Sequence, residues 1–422
     1  MGVSSRAVPF TVVPSLGQAL RALSVVCMGA ALFQPVPASA GPGGPGTPAP
    51  PGPSAPAPAL SLAKAADDPD PQQQQVTVGV TDPFIEFFRK TEIWGIVDTY
   101  YTYNFNEPPT GTFTPLHSFD VKHNQFSVSL LELAFSKATG TDDRIGYRFD
   151  LQYGQTAQVF NTDPLDNNNL VNVQQAYVSY LVPGGMTFEV GKWVTPVGSE
   201  ATEAHLNNNY SRGLLYQYGP FYHVGTRVSY PLHEKFTIGG MFVNGWNATG
   251  DNNSGKTFGA SLTWVPSSKF TFIQNFLVGP EQTDNADDTR TFSDTNLALN
   301  FGGFTTGANF IYATDEVADE SIDWKGLALY FKGQLGPVFA IAPRFEWYSD
   351  PDGFVFGAGE QTIKEFTLTF ELKHPRGLIT RFEYRRDWSD VDYFTKDGDP
   401  TDNQNVFTVG FIVPFTSRPV SP

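Results

Sequence analysis

A strict alternation of apolar and polar side chains is the feature that most constrains what this chain can fold into. In the segment 143–153, Phe149 and Leu151 alternate with Arg148 and Asp150. Successive side chains of a β-strand point to opposite faces, so this period indicates strands with one apolar face and one charged face. The same period recurs near the C-terminus, in the segments 362–373, 378–387 and 405–415.

Many segments carry this strand pattern, and the connections between them alternate between short turns and longer polar loops. A soluble β-sandwich has no reason to place every long loop at one end, whereas an outer-membrane barrel has short turns at one end and long loops at the other. We therefore predict an all-β fold, a transmembrane antiparallel up-and-down β-barrel of about 16 strands. The predicted strands are 92–104, 124–137, 143–153, 171–182, 186–194, 222–231, 235–245, 257–265, 270–279, 292–301, 304–312, 325–334, 338–348, 362–373, 378–387 and 405–415.

The composition agrees with a barrel and excludes several other classes of protein. Charged residues make up 17% of the chain, below the roughly 25% of an ordinary soluble domain. A mean hydropathy of -0.23 excludes a polytopic helical membrane protein. The net charge of -16 argues against a nucleic-acid partner, because phosphate binding needs basic surfaces. Aromatic residues at strand ends are expected in the interface girdles of the barrel, namely Trp94, Tyr100, Tyr101, Trp193, Trp264, Trp347, Tyr348 and Trp388.

The N-terminal part of the chain is expected to precede the barrel. Arg6 and Arg21 precede an apolar run, and a small-residue pattern typical of a cleavage site follows that run. This order indicates a signal peptide over residues 1–40. Residues 41–91 comprise a Pro/Gly/Ala-rich spacer, which cannot bury enough apolar surface to fold, and a short pre-barrel segment. The spacer is either a plain linker or a segment that binds the cell wall or a partner. The barrel is expected over residues 92–415 and a C-terminal tail over residues 416–422.

The alternation also places charged side chains on the face opposite the apolar stripe. A charge that points at lipid costs about 2–4 kcal/mol at the bilayer midplane, so these side chains are expected to face a polar lumen. Two interpretations stay open: the charges set up a transverse field that orients dipolar solutes, or they form ion pairs that stabilise the wall. The predicted pore-lining residues are Asp98, Glu132, Arg144, Arg148, Asp150, Arg344, Glu346, Glu365, Glu371, Arg381, Glu383 and Arg385.

A series of motifs resembles a known family. The segment 191–200 reads GKWVTPVGSE, the segment 209–212 reads NYSR and the segment 220–227 reads PFYHVGTR. Their order and spacing resemble the OmpL-like β-barrel porin family of Gram-negative outer membranes, as do GIVDTYY at 95–101 and VNGW at 243–246. The resemblance extends over the whole predicted barrel and implies a passive diffusion channel.

The resemblance also suggests a role for the longest predicted loop, which follows the fifth predicted strand and covers residues 195–221. In general porins the loop at this place folds into the barrel and narrows it. The alternative is an outer loop that lies over the mouth of the barrel. The residues that the resemblance implies for a constriction loop are Thr195, Pro196 and Gly198 at its entry, with Glu200, Glu203 and His205 facing the passage.

Together these observations predict an outer-membrane porin that passes small hydrophilic solutes or ions and is not an enzyme. Ser229 and His223 lie on one predicted strand about 20 Å apart, so they cannot pair as nucleophile and base. A plugged structural barrel linked to the cell wall and, less favoured, an outer-membrane barrel enzyme are the alternatives. No cofactor, metal or nucleic acid is expected. The expected partners are outer-membrane lipid, small solutes and further copies of the chain, as in a trimer. The acidic balance predicts a weak preference for cations.

Overall fold

The computed structural model describes residues 89–161, 170–317, 320–357 and 359–417. The predicted signal peptide, the spacer up to residue 88 and residues 418–422 of the predicted tail lie outside the described residues. Within the described ranges, no helix is long and apolar enough to cross a membrane.

The described strands form one closed antiparallel barrel and one small hairpin. In chain order they are β1 (Glu92–Asn104), β2 (Gln125–Lys137), β3 (Ile145–Tyr153), β4 (Val171–Leu181), β5 (Thr187–Val194), β6 (Tyr222–His233), β7 (Phe236–Val243), β8 (Thr257–Ser267), β9 (Phe270–Gly279), β10 (Arg290–Asn300), β11 (Phe304–Val317), β12 (Glu320–Leu335), β13 (Phe339–Asp350), β14 (Gln361–Lys373), β15 (Ile379–Ser389), β16 (Phe394–Lys396), β17 (Asp399–Thr401) and β18 (Asn403–Thr416). Sixteen of them close the barrel, and β16 pairs only with β17. The predicted fold class and strand number are therefore confirmed.

The ring closes where the first and last barrel strands meet. β1 pairs with β18 in a register that places Trp94 opposite Thr416 and Tyr103 opposite Phe407, while its other edge pairs with β2. A closed barrel has no free strand edge, so its backbone groups are satisfied within the sheet, as the interior of a bilayer requires.

One predicted loop is wrong. The segment 313–324 was expected to connect two strands as a polar loop, but β11 extends to Val317 and β12 already begins at Glu320. The alternation continues through this segment, because Ala313 and Asp315 on β11 and Trp324 on β12 are all buried. The two strands therefore rise above their neighbours as a long hairpin.

A second hairpin, β16–β17, lies within the segment 388–404, which the sequence pattern predicts to be a longer polar loop. Its turn is formed by Asp397 and Gly398, whose φ angles are 54° and 92°. Positive φ at both central residues is the geometry for which Asp-Gly is preferred in tight hairpins. The sequence therefore carried a signal for this hairpin, although its strands are only three residues long.

The outward face of the barrel is apolar and exposed. On β14 and β15, Phe366, Phe370, Phe382 and Tyr384 are 37–38% exposed, and they alternate with buried polar and charged residues along both strands. Lipid would cover this surface in a membrane.

The predicted girdle of aromatic residues is only half right. Four of the eight occupy outward positions in the alternation of their strands, namely Tyr101, Trp264, Trp347 and Trp388. In contrast, the interior face of the barrel holds Tyr100, Trp193 and Tyr348, which are fully buried, and Trp94, whose ring packs against the guanidinium of Arg148.

The main apolar core lies where the long connections meet, rather than between two packed sheets. The helices α1 (Gln155–Phe160) and α2 (Leu214–Gln217) belong to two of these connections. The ring of Phe160 lies 4.9 Å from that of Phe221 and stacks 6.2 Å from that of Phe119. This aromatic packing holds three long connections together at one end of the barrel.

Candidate functional site

The segment 195–221, here called the inserted segment, lies inside the barrel. Near its start the backbone N–H of Gly198 donates to the carboxylate of Asp294 on β10 at 3.0 Å. Further along, the hydroxyl of Tyr210 donates to Asp98 on β1 at 2.7 Å. β1 and β10 lie almost opposite each other in the ring of strands. The segment therefore crosses the interior from one wall to the other.

Three buried arginines hold the backbone of the inserted segment. Arg381 on β15 donates to the carbonyl oxygens of Ala204, Asn207 and Asn209 at 2.6–2.7 Å. These three carbonyls converge on one guanidinium, whose planar fork of donors suits such an arrangement.

The other two arginines repeat this contact further along the segment. Arg344 on β13 donates to the carbonyl oxygen of Ser211 at 2.7 Å, and Arg385 on β15 donates to that of Arg212 at 2.7 Å. Together the three arginines fix the path of residues 204–212.

Two buried glutamates bind the N–H groups of the same stretch. The carboxylate of Glu383 accepts from the N–H of Tyr210 at 2.6 Å and from the N–H of Ser211 at 2.8 Å. Glu346 accepts from the N–H of Leu214. A carboxylate that accepts two backbone N–H groups makes charge-assisted bonds of about 1.5–3 kcal/mol each. We call the two glutamates and three arginines the latch: Arg344, Glu346, Arg381, Glu383 and Arg385.

Ion pairs within the wall complete the latch. Arg344 pairs with Glu365 on β14 at 2.8 Å and with Glu200 of the inserted segment at 2.7 Å. Arg381 pairs with Glu371 at 2.6 Å. The latch arginines are only 0–1% exposed, so each charge is matched by a carboxylate and by carbonyl dipoles rather than by water.

Of the remaining predicted pore-lining residues, some are buried on β2 and β3, and Arg144 lies just outside the strands. Glu132 and Asp150 are buried on neighbouring strands, and Arg148 bonds to Asp150 at 2.8 Å. Arg144 precedes β3, although the sequence pattern placed it within that strand, and it donates to the carbonyl oxygen of Leu181 at 3.0 Å. Arg144 therefore belongs to a short turn at the opposite end from the long connections.

The predicted constriction residues are spread along the inserted segment. The hydroxyl of Thr195 lies 2.9 Å from Nε2 of His223, and the carbonyl oxygen of Pro196 accepts from Asn275 at 2.9 Å. Burial raises the pKa of Glu203. Burial, together with the guanidinium groups of Arg381 and Arg212, lowers the pKa of His205 to about 4. His205 is therefore neutral near pH 7.

Of the inward-facing charges that water reaches, the predicted Arg148 is 18% exposed, but sequence reasoning missed three others. Glu189 on β5 and Arg227 on β6 form an ion pair at 2.6 Å and are each 16% exposed. Lys332 on β12 is 18% exposed and lies 2.9 Å from Glu371. The alternation on the predicted strands 186–194 and 222–231 places Glu189 and Arg227 on the inward face. Both segments are rich in glycine and uncharged residues, so the two charges did not stand out as a stripe.

The interior is therefore asymmetric. The inserted segment excludes water from the wall formed by β13, β14 and β15, whereas charged side chains on β5, β6 and β12 remain partly accessible. The charges on both walls are held in ion pairs and hydrogen bonds.

Solved structures of similar fold include outer-membrane proteins. An anion-selective porin from Comamonas acidovorans is 12% identical over 77% of this chain and 99% of that chain, with a TM-score of 0.54. The outer membrane channel DcaP of Acinetobacter baumannii is 13% identical over 76% and 96%, with a TM-score of 0.53. OmpT of Vibrio cholerae in its trimer form is 9% identical over 77% and 99%, with a TM-score of 0.51. At these identities the likeness shows the fold alone.

The family comparison is more direct. No curated protein matches the chain. The family model described as "Putative beta-barrel porin-2, OmpL-like" matches residues 90–415, which is the whole described barrel apart from Thr416. The resemblance of the motifs around Lys192 and Arg227 is thereby confirmed, and the chain belongs to the OmpL-like β-barrel porin family.

Proposed function

We propose that this protein is a porin, a passive channel for small hydrophilic solutes and ions that is narrowed by the inserted segment. The observation that carries the proposal is the latch, which holds a polar segment across the lumen while leaving charged groups accessible on the facing wall. A wall-bound segment of this kind limits the size of solutes and leaves a hydrated path.

Solute size is the first test of this proposal. The full chain is reconstituted into liposomes, and swelling is followed in isotonic solutions of sugars of increasing size. We expect rapid swelling with the smallest sugars and a steep decline as the solute grows. Protein that has been heat-unfolded before reconstitution is the control. Equal rates for all sugars, or no swelling with folded protein, would count against a narrowed channel and favour a structural barrel.

Ion selectivity is a finer part of the same proposal. The long connections carry many carboxylates, including Asp284, Asp287, Asp288, Asp390 and Asp402. Like-signed charges around an entrance concentrate ions of the opposite sign, and salt screens this effect. We therefore propose a weak preference for cations. The reversal potential in a salt gradient measures it, and a clear anion preference would show that the arginines dominate the passage.

A homo-oligomer is also proposed, with the outward face of β9 and β10 in its interface. Gln274 on β9 lies among outward apolar residues, yet its side chain bonds to Ser293 at 3.1 Å and to Thr295 at 2.7 Å. Lipid offers no partner to polar groups, so such a patch is better covered by protein. The trimer form of the similarly folded OmpT supports this assembly.

The mass of the purified protein in detergent tests the assembly. We expect an oligomer for the natural chain and a larger share of monomer for Gln274→Leu. Phe366→Leu, which alters the apolar outward face of β14, is the matched control and should leave the oligomer unchanged. A monomeric natural chain would overturn the proposal.

The proposed location is the outer membrane, with the long connections facing outward. This follows the general rule for such barrels, in which both barrel termini and the short turns lie on the periplasmic side. Cysteine-directed labelling of intact cells tests it: Gly398→Cys should react, and Gly336→Cys, in a short turn, should not.

A further inference from the structure

The outward surface of the barrel carries a group of basic side chains at one edge of its apolar band. Lys364 on β14 lies on the same outward face as Phe366, two residues away. Arg386 on β15 lies on the same outward face as Tyr384. Lys325 on β12 lies on the same outer face of the sheet. We call Lys325, Lys364 and Arg386 the outer basic cluster.

The outer basic cluster lies at the end of the barrel with the long connections. Along β14 the outward face runs from Leu372, beside a short turn, to Lys364. At about 3.3 Å per residue and a tilt of about 40°, this stretch rises about 20 Å, close to the height of the apolar band of such barrels. In the register, Lys364 stands opposite Trp347 on β13 and Trp388 on β15. Tryptophan marks the membrane interface, where lipid head groups lie.

Lys364 lies between the other two basic side chains of the cluster and within reach of each. Arg386 stands opposite Phe366, two residues along β14 from Lys364, and such diagonal neighbours lie about 7–8 Å apart. Lys325 stands opposite Ser349, which in turn stands opposite Thr362 on β14. With strands about 4.8 Å apart, Lys325 lies about 12 Å from Lys364.

The cluster differs from the latch arginines and from Arg227. The latch arginines are each matched by carboxylates, and Arg227 is matched by Glu189. In contrast, no side-chain partner for Lys325, Lys364 or Arg386 occurs among the described residues. Three unmatched positive charges on the lipid side of an acidic protein are complementary to an anionic lipid.

We propose that the outer basic cluster binds the phosphate groups of an anionic lipid head group in the leaflet that faces the long connections. Arg386 would supply a planar fork for one phosphate, and the two lysines would supply point charges. The acyl chains would then lie along the exposed aromatic side chains below, such as Phe366 and Phe382. The proposal requires a membrane-spanning barrel but does not depend on conduction.

Native mass spectrometry of the full chain in detergent tests the proposal with two probes. The first is a lipid A that carries two phosphates, and the second is the same lipid after removal of both phosphates. We expect the natural chain to bind the phosphorylated probe at least tenfold more tightly than the dephosphorylated one. The double variant Lys364→Gln/Arg386→Gln should lose most of this difference, and Lys364→Arg/Arg386→Lys should keep it.

The matched control removes the same charge at the other end of the barrel, where Lys235→Gln/Lys269→Gln changes two exposed lysines of short turns. This control should bind the phosphorylated probe as the natural chain does. Equal loss in both double variants, or no loss in Lys364→Gln/Arg386→Gln, would overturn the proposal. Displacement of the lipid by millimolar inorganic phosphate would show a site for free phosphate instead. Heat-modifiable gel mobility verifies that each variant is folded.

Discussion

Removal of the Glu383 carboxylate should release the inserted segment from the wall. This carboxylate accepts the N–H groups of Tyr210 and Ser211 at 2.6 and 2.8 Å and a hydroxyl from Thr369 at 2.6 Å. At about 1.5–3 kcal/mol for a hydrogen bond to a charged group, the two backbone bonds contribute about 3–6 kcal/mol to holding the segment. Since about 1.4 kcal/mol corresponds to a factor of ten, Glu383→Ala should shift the ratio of bound to released segment by roughly two to four orders of magnitude.

Single-channel recording in planar bilayers measures the consequence. We expect Glu383→Ala to conduct more than the natural chain and to show larger current fluctuations, because the released segment no longer blocks the wall formed by β13–β15. Glu189→Ala is the matched control, since Glu189 is an inward carboxylate that bonds to Arg227 rather than to the segment. It should change selectivity more than conductance. Equal conductance for Glu383→Ala and the natural chain would refute the latch.

Three further predictions concern the same segment. Gly410→Leu should raise conductance and lower the temperature at which the folded band disappears on gels, because the ring of Tyr210 occupies the space that a side chain on β18 would need. Arg344→Ala should lower that temperature more strongly, because Glu200 and Glu365 would both lose their partner; breaking a buried pair costs about 3–5 kcal/mol. The hold on the inserted segment should weaken as pH falls from about 6.5 to about 4. The pKa of His205 is about 4 in the folded protein and 6.5 when exposed. Protonation of His205 therefore favours release of the segment by at most about 3 kcal/mol. His205→Gln should reduce the loss of folded-band stability between pH 7 and pH 4.5, and an unchanged pH profile would contradict the role of this residue.

The alternation of side chains was sufficient to predict the barrel. Inside and outside differ at every second residue, so a local pattern fixes which face a side chain occupies, as for Phe366 and Glu365. The pattern fails where a bulge shifts it. In β2 both Ser129 and Leu130 are buried, next to the register shift in β1 between Asp98 and Thr99. The aromatic residues that were predicted for the girdle but lie inside the barrel were misplaced for a simpler reason. A position at a strand end does not show whether the side chain faces inward or outward.

The latch could not be predicted from the sequence in the same way. The alternation predicts that its charges lie on the polar face, but it cannot predict their partners. These are backbone groups far away along the chain, such as the carbonyl oxygens of Ala204 and Asn209 that bind Arg381. Every residue carries a carbonyl oxygen and almost every residue an N–H, so no side-chain pattern marks these contacts. Whether these residues line the passage stays a prediction until conduction is measured.

The single-channel current of the folded natural chain tests the central claim most directly. We expect discrete current steps in a planar bilayer, with a conductance that rises in Glu383→Ala. Gel mobility before and after heating establishes that the protein added to the bilayer is folded. Folded protein that inserts into the bilayer and carries no current, in both the natural chain and Glu383→Ala, would contradict the account and identify a closed structural barrel instead.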